Sequence, residues 1–154
     1  MNLLISLKKM FITIFSLITC LLFLISCEHA LPEDKKTEVI SSIAEIITDN
    51  YTSADLETPF LIRMIDIEKL ADKNSELSKF IEKYDDIKQY KAYLLDDNKV
   101  MIVTDVIFQS VKGYVVSNEE LGGVLVVPGS GFDADKLNIQ NEIEDNIYTF
   151  WAGL

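Results

Sequence analysis

Hydrophobic and polar positions divide the chain into three stretches with different periods. The first contains an uncharged apolar run from Met10 to Ser26. In the second, which ends near Asp86, apolar residues recur at intervals of three and four, as in amphipathic helices. From about Tyr90 the pattern changes to short β-rich runs separated by Gly, Pro, Asn and Asp. Helices are therefore expected before strands.

Two or three helices are predicted in the second stretch. The first spans about Glu33 to Thr48 and has one apolar face: Val39, Ile40, Ile43, Ala44 and Ile47. Residues 60–65 are compatible with a helix start or a short buried strand, and the helical pattern is clear from Asp66. A further helix follows Ser75, the expected N-cap, with these residues on one face: Leu77, Phe80, Ile81 and Tyr84.

Five β-rich runs follow. Two flank the turn signal Asp96-Asp97-Asn98, and the others are "SVKGYVVS", "GGVLVVPG" and "NIYTFWAGL". In the last run, alternation places Tyr148 and Phe150 on one side and Trp151 on the other. With no helical pattern between the runs, the sequence predicts an α+β fold: two or three N-terminal helices packed on one face of an antiparallel sheet of about five strands.

The N-terminal stretch has the features of a secretory signal. Lys8 and Lys9 precede the apolar run, whose 17 residues would span about 26 Å as a helix, at the short end for a membrane span. The run ends in Leu24-Ile25-Ser26-Cys27, which resembles the lipobox of bacterial lipoproteins. Cys20 is a poorer match because Thr19 precedes it and apolar residues follow. An uncleaved anchor helix is the alternative.

The resemblance implies a processed and acylated protein. Signal cleavage would fall between Ser26 and Cys27, the Cys27 thiol would carry a diacylglycerol, and the new amino terminus would usually be acylated too, with palmitate a typical chain. Residues 1–26 would then be removed, 27–36 would form a lipidated tether, and 37–154 a single domain. In enteric-type bacteria, an aspartate directly after the lipidated cysteine resembles an inner-membrane retention signal. Glu28 at this position therefore favours the outer membrane, facing the periplasm, in a Gram-negative cell. Otherwise the protein would occupy the outer face of the plasma membrane.

Charge narrows the range of partners. After the expected cleavage site the chain has 25 acidic and 12 basic residues, a net charge of −13. Such a surface repels phosphate backbones, so nucleic acid is not an expected partner. Anionic membrane surfaces would also repel it, whereas a basic protein or a cation would be attracted. Solubility alone is the simpler explanation of the charge.

Several reactive residue types are missing from the predicted domain. His29, in the tether, is the single histidine, and both cysteines lie at or before position 27. A Ser-His-Asp or Cys-His arrangement therefore has no residues to build it, nor has a zinc site of His and Cys ligands, and no cofactor is expected. The carboxylate pairs at Asp85-Asp86, Asp96-Asp97 and Glu119-Glu120 are typical of caps and turns, although paired carboxylates can also hydrolyse glycosides.

Two further segments are candidate binding loops. Asp133, Asp135 and Glu144 match positions one, three and twelve of an EF-hand loop, but Leu137 is unsuitable at position five, so a polar loop between strands is preferred. Gly129 and Gly131 lie in "PGSGFD", which lacks the lysine of a phosphate loop and is interpreted as a turn.

The leading hypothesis is a non-enzymatic, lipid-anchored envelope protein that binds another protein. The alternatives are an immunity or inhibitor-type lipoprotein that neutralises a basic toxin or hydrolase, and, with less support, a carboxylate-dependent hydrolase of envelope glycans. The residues predicted to contact the partner are Asp96, Asp97, Glu119 and Glu120. Trp151 is a further candidate, because an exposed aromatic side chain can anchor an interface.

Overall fold

The computed structural model describes residues 12–18, 30–52, 63–128, 130 and 132–154. Residues 12–18 are helical. The chain divides into two compact units, Met1–Ala30 and Leu31–Leu154. No helix among the described residues is long and apolar enough to cross a membrane. Cys20, the lipobox residues 24–27 and His29 lie outside the described residues.

The second unit contains three α-helices, two 3-10 turns and seven strands in its described part. The helices are α1 (Glu33–Asn50), α2 (Ile67–Ala71) and α3 (Ser75–Lys83), and the 3-10 turns are Asp85–Gln89 and Asp133–Asp135. The strands are β1 (Arg63–Ile65), β2 (Lys91–Asp96), β3 (Lys99–Ile107), β4 (Ser110–Ser117), β5 (Val124–Val126), β6 (Lys136–Glu144) and β7 (Ile147–Gly153).

All seven strands belong to one antiparallel sheet in the order β1-β2-β3-β4-β7-β6-β5. The α+β class and the antiparallel sheet are thus confirmed, but the prediction of about five strands is wrong. Strand β1 settles part of the ambiguous segment: residues 63–65 are extended, and residues 60–62 lie outside the described range. Strand β6 replaces the polar loop expected within 133–144. It was missed because Leu137 is its one buried side chain, so the apolar alternation of a half-buried strand is absent.

The helices form where the apolar spacing predicts them. In α1 the five predicted residues are buried together with Ile46. Helix α3 is capped by Asn74, whose Oδ1 accepts from the N–H groups of Glu76 and Leu77 at 2.9 and 3.0 Å. Ser75 is therefore the first helical residue, not the N-cap. Asn74 is the N-cap because its backbone is extended and its amide oxygen reaches two N–H groups of the first helical turn.

The helices cover one face of the sheet, named here the helix face. The buried sheet residues of this core are Ala92, Leu94, Val100, Ile102, Tyr114 and Ile147. They pack with the apolar sides of all three helices, including Ile43, Leu70 and Leu77. Removing this apolar surface from water, at about 25 cal/mol per Å², is the main force that holds helices and sheet together.

The opposite face has a second core. Its buried residues are Met101, Val103, Val111, Val115, Val127, Leu137, Phe150 and Ala152. Leu121 and Phe132, from the chain segments on either side of β5, pack against them. Gly113 lies in this region, and a Cβ added there would come within 2.0 Å of the Ile102 carbonyl oxygen. The close approach of β3 and β4 therefore requires glycine.

Strand β6 extends well beyond its outer neighbour. Strand β5 pairs with Lys136, Leu137 and Asn138 only. The rest of β6, residues 140–144, is exposed, has no outer partner strand among the described residues, and is irregular in register against β7. Within the part of the chain that the structure describes, the sheet therefore has an open edge along this segment.

The folded unit begins at Leu31. Its side chain is 5 % exposed, and its backbone N–H donates to both carboxylate oxygens of Asp86 at 3.2 and 3.1 Å. Helix α1 starts two residues later, at Glu33. Residues 31–36, assigned above to the tether, are thus part of the folded unit.

Candidate functional site at the two ends of the sheet

One end of the sheet, named here the acidic end, is built from three turn segments: residues 95–99, 117–121 and 142–147. Backbone hydrogen bonds join them, since the Asn118 N–H donates to the Asn98 carbonyl at 3.3 Å and the Ser117 N–H to the Asn146 carbonyl at 3.0 Å. Antiparallel pairing places them together, because Lys99 pairs with Ser117 and Val116 with Ile147. The acidic end is therefore a connected surface.

These segments hold seven carboxylates and a single lysine. The carboxylates belong to Asp96, Asp97, Glu119, Glu120, Glu142, Glu144 and Asp145, and the lysine is Lys99. The structure thus brings together the four acidic residues that the sequence predicted as contacts. It adds three that sequence analysis missed, because they belong to the unpredicted strand β6 and the turn that follows it.

Lys99 is the internal counter-charge of the acidic end. Its side chain is only 13 % exposed, and its Nζ lies 2.7 Å from Glu119 Oε2 and 3.0 Å from Asp96 Oδ2. The hydrogen bond to Glu119 raises the pKa of Lys99 above its ordinary 10.5, Asp96 contributes to the same effect, and burial opposes it. One lysine cannot neutralise seven carboxylates, so a strong negative potential remains at the surface.

Trp151 does not belong to this surface. It lies on the helix face, 41 % exposed, in a row of directly paired residues outside the core: Asp105, Lys112, Trp151, Asn138 and Val124. The predicted alternation is confirmed, because Tyr148 and Phe150 are buried while Trp151 is exposed. The predicted contact residues therefore form one cluster of four acids and one separate aromatic residue.

The other end of the sheet, named here the apolar end, contains the β3–β4 turn and the last residue, Leu154. Phe108 is 99 % exposed and has φ +52°, and Val106, Ile107 and Leu154 are 59, 47 and 53 % exposed. Leu154 is attached to the turn, because its N–H donates to the Gln109 carbonyl at 2.9 Å. Sequence analysis missed this surface. The available signal was a two-residue turn, Phe108-Gln109, without Gly, Asn or Asp.

The remaining candidate residues have local structural roles. Asp86 binds the Leu31 N–H, and Asp85 pairs with Lys88 at 2.7 Å. Asp135 precedes β6 and Glu144 ends it, so their backbones are about 30 Å apart at roughly 3.3 Å per residue. They cannot share a calcium ion with Asp133. No cluster of three potential metal ligands occurs among the described residues, and Gly129 and Gly131 lie outside them.

Comparison with known proteins adds no relative: no protein-family model matches the chain, and neither a curated protein nor a solved structure is similar to it.

Proposed function

We propose that this chain is a bacterial lipoprotein, anchored in the cell envelope through Cys27, whose folded unit is a non-enzymatic module that binds a basic protein. The observation that carries the proposal is that three adjoining turn segments at the acidic end hold seven carboxylates and one lysine, which is largely buried and paired with two of them. The lipobox-like residues 24–27 support the anchor, and the absence of His and Cys after residue 29 supports a binding role.

The acidic end suits fast recognition of a cationic surface. Exposed carboxylates of one sign raise the rate of encounter with a basic partner, an effect that salt screens over a Debye length of about 8 Å at physiological ionic strength. Asp97, Glu119 and Glu120 are exposed and held on short, hydrogen-bonded turns. A partner would therefore meet a preformed charge pattern, and little conformational entropy would be lost on binding.

The anchor is tested by acyl-chain labelling in a bacterial host. Wild-type protein should incorporate labelled fatty acid, and Cys27→Ala should not, because the acceptor thiol is gone. Cys20→Ala is the matched control and should be labelled like the wild type. Equal labelling of the wild type and Cys27→Ala would contradict the anchor.

The binding surface is tested with a partner captured from solubilised envelopes. The quadruple variant Asp96→Asn, Asp97→Asn, Glu119→Gln and Glu120→Gln should lower the association rate about tenfold and flatten its salt dependence, with less change in dissociation. The control variant removes the same charge from the helices: Glu45→Gln, Glu68→Gln, Glu76→Gln and Glu82→Gln. It should retain most of the association rate, because these residues lie outside the acidic end.

Equal effects of the two variants would mean that net charge, and not the acidic end, steers the partner. Kinetics independent of salt would contradict the electrostatic proposal and direct attention to Trp151. Identification of the captured protein as a toxin or hydrolase would select the immunity or inhibitor role.

A further inference from the structure

The β3–β4 turn carries an aromatic side chain in open solvent on an unfavourable backbone. Phe108 is 99 % exposed at φ +52°, a region that bulky residues rarely adopt. Two-residue turns with a positive φ favour Gly, Asn or Asp. Neither the exposure nor the conformation helps the isolated unit to fold. Such an outlier is a reason to look for an external contact.

The side chains around Phe108 extend the apolar surface. Val106, Ile107 and Leu154 are each about half exposed, and residues 106–111 contain no charge. The hydrogen bond from the Leu154 N–H to the Gln109 carbonyl holds the last residue beside the turn. The result is a protruding apolar tip, unlike the charged turns at the other end of the same strands.

The chain enters the folded unit on the side of this tip. The Leu31 N–H donates to the Asp86 carboxylate, in the 3-10 turn Asp85–Gln89 that leads into β2 at Lys91. Lys91 pairs with Val103 and β2 runs from there towards the acidic end, so this turn lies on the side of the tip. Leu31 is therefore attached beside the start of β2, whose partner Val103 lies five positions before Phe108.

The lengths involved permit contact with a membrane. Cys27 and Leu31 are four positions apart in the chain, a reach of at most about 14 Å. The five positions from Val103 to Phe108 extend about 17 Å along the strand. A lipid on Cys27 would therefore hold Leu31 close enough to the bilayer for the tip to touch it.

We propose that the β3–β4 turn, with Phe108 at its tip, inserts into the interfacial region of the bilayer that holds the lipid on Cys27. The proposal rests on the lipid anchor proposed above. Aromatic and aliphatic side chains partition into this region, and one tip would supplement the anchor without spanning the membrane. The acidic end would then face away from the membrane, towards a protein partner.

The charge distribution favours this orientation. Seven carboxylates lie at the acidic end, and an anionic bilayer surface repels them. Near the tip, Asp105 is paired across the strands with Lys112, and Asp133 lies close to Gly153. The apolar end is thus far less negative than the acidic end, and it can approach a membrane at lower electrostatic cost.

The test uses the mature lipoprotein in vesicles of phosphatidylethanolamine and phosphatidylglycerol that carry nitroxides on their acyl chains. A fluorophore is attached at Gln109→Cys, which is the single free thiol once the signal is removed and Cys27 is acylated. The matched probe is Glu120→Cys at the acidic end. Quenching at position 109 should exceed that at position 120 at least threefold. Phe108→Ser should reduce the excess by half or more without altering the circular dichroism spectrum, because Phe108 is exposed.

Equal quenching at the two positions in protein that floats with the vesicles would overturn the insertion, while the lipid anchor would stand. Protein that does not float and retains a reactive Cys27 thiol would refute the anchor and the insertion together. If position 109 is unquenched in vesicles but shielded in native envelopes, the tip contacts a protein and membrane insertion is wrong.

Discussion

The turns at the two ends of strand β3 differ in how well their residues suit the backbone conformation. At the acidic end, Asp97 and Asn98 form the turn, and the neighbouring β6–β7 turn places Asn146 at φ +71°, a conformation that Asn tolerates well. At the apolar end, Phe108 has a similar positive φ in the β3–β4 turn. At the acidic end the turn residues suit their backbone conformation, whereas at the apolar end Phe108 does not. Such a conflict within a consistent fold is expected where function constrains the residue.

The largest predicted effect is on the pairing of β3 and β4, on which both ends of the sheet depend. Gly113→Ala would place a Cβ within 2.0 Å of the Ile102 carbonyl oxygen, so β3 and β4 would have to separate. We expect a loss of about 3 kcal/mol in the free energy of unfolding, measured by urea denaturation. Gly122→Ala is the control, because no atom lies within 4 Å of the added Cβ, and it should change stability by less than about 0.5 kcal/mol. Similar stabilities for the two variants would contradict the close approach of the strands.

A smaller effect is confined to the acidic end. Lys99→Gln leaves the surrounding carboxylates without their counter-charge and should cost about 1 kcal/mol at low salt, and less at 1 M salt. Lys88→Gln is the control. Its pair with Asp85 is exposed on both sides, so its loss should cost close to nothing. An equal, salt-independent loss in both variants would contradict the role of Lys99 as a counter-charge.

The pH dependence of the Lys99 contribution has a definite sign. The pKa of Lys99 is raised in the folded state above its ordinary 10.5. Its contribution is therefore complete below pH 10.5 and is lost as the pH rises through the folded value. The stability difference between the wild type and Lys99→Gln should be constant from pH 7 to pH 9 and should shrink in more alkaline solution.

The smallest effects compare the turns directly, and they have opposite signs. Asn146→Ala should cost about 1 kcal/mol, because alanine tolerates a positive φ less well than asparagine. Phe108→Asn should instead stabilise the protein by about 0.5 kcal/mol, because it relieves the backbone without removing buried contacts. Thermal melting of both variants measures the contrast. A destabilising Phe108→Asn would show that Phe108 serves the fold rather than an external contact.

The helices were predictable from the sequence because apolar residues recur along them at regular helical spacing. The spacing of Val39, Ile43 and Ile47 marked α1, and that of Leu77 and Ile81 marked α3. Strands β2, β3, β4, β5 and β7 were recognised by β-branched runs between turn residues. For the segment that contains β1, the sequence allows a helix or a short strand, because β1 has only three residues; β6 is not predicted, because it buries a single side chain. Their positions depend on pairing with distant strands, which leaves no local pattern.

The acidic cluster was only partly predictable. The sequence predicts Asp96, Asp97, Glu119 and Glu120 as neighbours because they border strands, and antiparallel pairing does bring those borders together. The contribution of the β6–β7 turn required the missing strand. The apolar end was missed because exposure depends on whether a helix covers the sheet at that point, and sequence alternation identifies the face of a residue but not what covers it.

The open edge of β6 has a consequence for copies of the protein that share a membrane. Lipid anchoring would confine many identical, similarly oriented molecules to two dimensions, where encounters between strand edges are frequent. An exposed edge is a template for edge-to-edge pairing and aggregation. Here the edge is irregular and carries Glu142 and Glu144, so antiparallel pairing between copies would bring like charges together. The same residues that contribute to the acidic end would therefore also oppose self-association of lipid-anchored copies.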